Sequence, residues 1–67
     1  MTAEELLAEL RGSNTDLALL VGRVSRDGLP WVVVPAQTIT AWERREPETW
    51  AKVARWLAGR GVTVVRI

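Results

Sequence analysis

The chain has 67 residues, 48% of them hydrophobic, with no Cys, no His and a net charge of +1. Without Cys there is no disulfide or thiol chemistry, without His as well a zinc site would need an all-carboxylate shell, and a net charge this small does not argue for nucleic acid from composition alone, although the chain is acidic over residues 1–16 and basic beyond them. A chain of this length reads as one domain, 1–67, and with no leader-like segment and no apolar run of membrane length it is expected to be cytoplasmic and without membrane contact.

Thr2 and Glu5 have the S/T-x-x-E spacing of a capping box, and Leu6, Leu7 and Leu10 supply the apolar stripe of a short N-terminal helix that Gly12 ends. Residues 12–16, Gly-Ser-Asn-Thr-Asp, read as a connector. Leu17 to Val24 begins with five consecutive apolar residues, the pattern of a strand in the middle of a sheet. Ser25-Arg26-Asp27-Gly28 then reads as a hairpin turn, with Gly28 free to take positive φ. The second strand is Leu29 to Val34. Pro30 and Pro35 bracket it, and because Pro cannot donate to a ladder the strand belongs at a sheet edge.

Residues 36–46 are ambiguous: Thr38, Ile39 and Thr40 favour strand, while Thr40 and Glu43 make a second capping-box spacing. A short helix from Ala41 to Glu46 is the reading preferred here, and Pro47 disfavours helical geometry at Glu46, so this helix should break or kink there. Pro47 and Glu48 then open the clearest element of the chain. Trp50, Val53, Ala54 and Leu57 recur at helical spacing on one face, Glu48 and Lys52 sit four apart on another, and Gly59 and Gly61 stop the helix near residues 58–60. Val62 to Ile67 is a β-branched strand. The expected fold class is therefore α+β, with topology α-β-β-α-β: a three-stranded, mostly antiparallel sheet in the order 2-1-3, carrying an N-terminal and a C-terminal helix on one face.

Two clusters combine aromatic and basic side chains. Lys52, Trp56 and Arg60 are each four apart and form a ridge on one flank of the C-terminal helix; an aromatic between two cations can stack on a base or anchor a protein interface. Trp42 with Arg44 and Arg45 makes the second, suited to phosphate contact or partner docking. The plainer readings are that Trp56 folds over a sheet edge and that Arg44 and Arg45 are solvated beside Glu43 and Glu46. Arg23 and Arg26 flank the predicted turn and could reach an anion, although Asp27 beside them suits plain turn chemistry.

No enzyme is expected. The Ser, Thr, Lys, Asp and Glu side chains are scattered with no His or Cys to activate a nucleophile, and Gly59-Arg60-Gly61 follows a helix, where a phosphate-cradling loop would precede one. No metal or other cofactor is implied.

Thr38-Ile39-Thr40-Ala41-Trp42-Glu43-Arg44, followed by Pro47 and an apolar helix ending at Gly61-Val62, resembles the second half of a repressor-type helix-turn-helix domain. That resemblance implies a recognition helix over Thr38 to Arg44 and hence DNA binding. It covers under half of the chain, and the helix that should precede the turn is replaced by Leu29 to Val34. The order of elements and the Trp50 to Ile67 unit also resemble a trimmed restriction-endonuclease-like core. Its metal-binding acid and E-x-K have no counterpart in Trp31 to Pro35, which implies an inactive derivative.

The expected function is a non-enzymatic binding protein acting by protein–protein contact, of the kind mobile elements and phages use as small inhibitors or regulators. Trp42, Arg44, Arg45, Lys52, Trp56 and Arg60 are its candidate partner-binding residues. The alternative is a small DNA-binding regulator using Thr38 to Arg45 and the Lys52, Trp56, Arg60 ridge. A homodimer that buries Trp56 or an open sheet edge is compatible with both.

Overall fold

The computed structural model describes residues 2–67. Four helices and one two-stranded parallel sheet alternate as α1 (Ala3–Arg11), α2 (Thr15–Asp27), β1 (Trp31–Val34), α3 (Ala36–Arg45), α4 (Pro47–Gly59) and β2 (Thr63–Arg66). The capping box of α1 forms as its sequence predicts: Thr2 Oγ1 accepts from the Glu5 N–H at 3.2 Å, and the Glu5 carboxylate reaches back to the Thr2 N–H.

This architecture corrects the expected three-stranded antiparallel sheet. Residues 17–24 are not a central strand but the body of α2. Leu17, Val21 and Val24 are spaced by four and three, and all three are buried, whereas Leu19 on the other side of the helix stands in solvent. Asn14 decides the start: its side chain accepts from the Leu17 N–H at 3.1 Å, leaving an N-cap followed by good helix formers. The Ser25 to Gly28 stretch is the last turn of this helix rather than a hairpin turn. Gly28 takes φ 63° as a left-handed cap, and its N–H donates to the Val24 carbonyl at 2.9 Å. The glycine signal was a helix stop.

With α2 helical, β1 has only β2 to pair with. Residues 35–62 between them form a helical crossover, the connection that parallel strands require and a hairpin cannot supply. The register sets Trp31 beside Thr63 and Val34 beside Arg66. Helix α3 starts at Ala36, five residues before the predicted start, so Thr40 lies inside it and donates its hydroxyl to the Ala36 carbonyl at 3.1 Å instead of capping an end.

The break at Glu46 is present, with φ −140° and ψ 58° before Pro47. It folds α4 back so that the Trp42 and Trp50 rings meet with centroids 5.4 Å apart, tilted by 31°. At the far end of α4, Val62 N–H donates to the Leu57 carbonyl and Gly61 N–H to the Ala58 carbonyl, the bonding pattern of a Schellman stop, with Gly61 at φ 73°. The stop also seats Val62 in the core.

All four helices and β1 contribute to one apolar core, centred on Leu6, Leu17, Val21, Ile39, Val53 and Leu57. No polar or charged residue is buried among the described residues. A part-buried polar contact helps tie the two helical pairs together: Asn14 Nδ2 donates to Glu46 Oε2 at 2.6 Å, joining the α1–α2 turn to the α3–α4 break.

Total stability of a chain this size is roughly 3–10 kcal/mol, so single core losses should be severe. Leu57→Ala is expected to cost about 2–5 kcal/mol and Asn14→Ala about 1–2 kcal/mol, both read from urea unfolding followed by circular dichroism. An Asn14→Ala variant as stable as the parent would show that the Asn14 cap and its link to Glu46 contribute nothing.

Candidate functional site

The strand β1 alternates exposed and buried along its length. Val32 and Val34 point into the helical layer, so Trp31 and Val33 must point the other way, because successive side chains in a strand leave on opposite faces. The register carries the same division onto β2, where Thr63 and Val65 lie beside Trp31 and Val33. The ladder continues past β2: the Ile67 N–H donates to the Val34 carbonyl at 3.2 Å and its carbonyl accepts from the Ala36 N–H at 3.0 Å.

The outer face is therefore Trp31, Val33, Thr63, Val65 and Ile67. It carries no charge, and no helix of the described chain covers it. Trp31 is 57% and Ile67 73% exposed. With Val33 and Val65 they leave on the order of 400 Å² of apolar surface in water, the size of the largest apolar patch on an ordinary monomer, which is often functional. Parallel sheets are ordinarily covered on both faces, so this bare face is unusual for its type.

A groove of about 550 Å³ adjoins the same strand, between β1 and the exposed side of α2. Leu19, Leu20 and Leu29 give it apolar walls, and Asp16 and Arg23 provide its charged groups. A second depression of about 590 Å³, more polar, lies between the start of α2 and α3, where Arg45 joins Asn14 and Glu46.

The six residues singled out from sequence occupy three settings. Trp42 is only 8% exposed and stacks with Trp50 in the core. Arg44 and Arg45 are exposed in the last turn of α3. On α4, the Arg60 guanidinium lies 4.9 Å from the centre of the Trp56 ring, a cation–π contact within the chain, while Trp56 packs its other surface against the core. Lys52 Nζ meets Glu9 Oε2 at 3.2 Å and ties α4 to α1. The ridge of Lys52, Trp56 and Arg60 thus engages its own chain. Near the end of α2, Arg26 Nε donates to Asp27 Oδ1 at 3.1 Å, which raises the guanidinium pKa above its ordinary value, chiefly through this hydrogen bond.

The residues that sequence reasoning passed over are Leu19, Trp31, Val33, Val65 and Ile67. For the four strand residues the signal was present: two β-branched runs, charged only at Arg66, carry more apolar side chains than one buried sheet face can hold.

Among the described residues no three carboxylate side chains cluster as a metal site would require, and no helix is long and apolar enough to cross a membrane. Compared with protein-family models, curated proteins and solved structures, the chain matches none of them.

The burial pattern predicts the fluorescence. Trp42 and Trp50 are shielded and Trp56 is half-covered beneath Arg60, so Trp31 should account for most of the emission that acrylamide quenches. Trp31→Phe should remove that component with no loss of helical signal. Unchanged quenching in this variant would mean that the outer face is covered.

Proposed function

We propose that this chain is a non-enzymatic binding protein that acts by protein–protein contact through the outer face of its sheet. One observation carries the reading: Trp31, Val33, Val65 and Ile67 form an uncharged apolar surface that the chain's own helices leave bare. Aromatic and aliphatic side chains in a patch without charges suit the dry centre of an interface, where charged residues are depleted and Trp is enriched. A partner that fits this face presents an apolar surface of its own, and the chain would work as a small inhibitor or regulator by occupying it.

The outer face offers little to chemistry or to phosphate. Of the basic residues on α4 and at its C-cap, Lys52 pairs with Glu9 and Arg60 lies over Trp56, while Arg55, like Arg44 and Arg45 of α3, is exposed away from the outer face. The outer face supplies neither the phosphate-binding cations nor the polar groups that base recognition uses.

The test is site-specific photocrosslinking in cells of the source organism. A benzophenone side chain at Val65 is expected to capture a discrete protein, and the same group at Arg55, on the solvated side of α4, to capture none. Ile67→Glu should abolish capture at Val65, and nuclease treatment should leave it unchanged. Equal capture from both positions, or capture that nuclease removes, would overturn the reading.

A further inference from the structure

The free edge of β1 and the helix beside it are each complementary to their own inverse. In the β1–β2 ladder the Pro30 and Val34 carbonyls accept from Thr63 and Ile67 at 3.1 and 3.2 Å. Alternate residues of a strand direct their backbone groups to opposite edges, so Trp31 and Val33 turn their N–H and C=O away from β2, and no hydrogen bond to these groups is present among the described residues. A second β1, antiparallel about a two-fold axis through Val32, would set Trp31 opposite Val33 of the second copy and Val33 opposite its Trp31. Each of these pairs can exchange both backbone hydrogen bonds. On the outer face each pair also places an aromatic ring against a β-branched side chain, a favourable cross-strand neighbour.

Helix α2 repeats the symmetry along the same groove. Asp16, Leu19, Leu20 and Arg23 all line it, and their spacing of three, one and three puts them on one helical face. Reversing that face about the point between Leu19 and Leu20 exchanges Asp16 with Arg23. Two antiparallel copies of α2 therefore bring Asp16 against Arg23 of the second copy at both ends, with the leucines between them. Neither charge has an ion-pair partner among the described residues of its own chain, and Leu19 is 62% exposed at the centre of the face.

We infer that this edge is a homodimer interface, in which β1 pairs with β1 and α2 with α2 of a second copy to give a four-stranded sheet ordered β2-β1-β1-β2. A foreign strand would satisfy the backbone of the edge, but a helix face whose charges invert end to end selects its own reverse. Such an interface is isologous and closed. It uses the edge of β1 and α2, leaves Val65 and Ile67 free, and goes beyond the contact reading above, so the two can fail separately.

The experiment is sedimentation equilibrium on the purified full chain. The expected species has twice the 7.5 kDa monomer mass. Asp16→Arg and Arg23→Asp, both at exposed positions, should fold normally by circular dichroism and each raise the dimer dissociation constant about tenfold or more, since each turns two attractive pairs into repulsive ones. An equal mixture of the two variants should dimerise again, as should the doubly exchanged chain. A monomer at every concentration, or a dimer indifferent to the charge reversals, or a mixture that stays monomeric would each overturn the inference. Ile67→Glu should leave the dimer intact, which separates this outcome from loss of the outer-face contact.

Discussion

The break at Glu46 is the constraint on which the rest of the structure depends. Ala36 to Gly59 is helical on both sides of it, and an uninterrupted helix of that length would carry the chain away from β1 without returning. Pro47 prevents continuation by disfavouring helical geometry in the residue before it while itself suiting the first turn of α4. The resulting corner brings Trp42 onto Trp50 and offers the Glu46 carboxylate to Asn14. The same residue that interrupts one helical pair thereby fastens it to the other, and β2 is delivered alongside β1.

The corner also fixes what the sheet can do. Two strands of four residues joined through a helical crossover have helices on one side, and the described residues place no second layer on the other. The inner side chains Val32 and Val34 complete the helical core, while the outer ones are as apolar as the inner ones but have no layer to meet. The outer face and the free edge of β1 thus follow from the topology, and both meet at Trp31, whose ring lies on the face and whose backbone lies on the edge.

Much of the local structure was legible in the sequence because it is set by local chemistry. Thr2 and Glu5 mark the start of α1, Pro47 the start of α4, and the β-branched run after Gly61 the position of β2. The helix break at Glu46 was legible for the same reason. What was not legible lay in α2 and in the start of α3. Leu17-Ala18-Leu19-Leu20-Val21 is apolar on every side, so periodicity could not separate a buried strand from a helix that leaves Leu19 in water. The deciding residue was Asn14, in a stretch that otherwise reads as a loop. Thr38 and Ile39 biased α3 toward strand, and tertiary packing of Ile39 and Trp42 overrode that propensity. The parallel pairing depends on the same segment, since with residues 17–24 helical β1 has only β2 beside it. The candidate surface was hidden for a different reason: alternation along β1 shows that two faces exist, but only the number of layers in the fold decides which of them is bare. Of the aromatic and basic clusters that the sequence shows, Trp42 lies in the core and Trp56 is half-covered by its own Arg60.

The parallel register has a further consequence for how the chain reaches its native state. Contacts between α1 and α2, or between α3 and α4, join near neighbours, whereas Trp31 must find Thr63 across both helices of the crossover. Closing that span costs chain entropy that only the pairing recovers, whereas the helix pairs need no such closure. Until the span closes, Trp31 to Val34 and Val62 to Val65 are uncharged, strand-prone segments of the kind that assemble with one another between chains. Their flanks are guarded: Pro30 and Pro35 remove backbone donors on both sides of the first segment, and Arg66 adds a charge at the end of the second. Residues of these types at the flanks of strand-prone segments are the kind that hinder assembly between chains while a sheet is open.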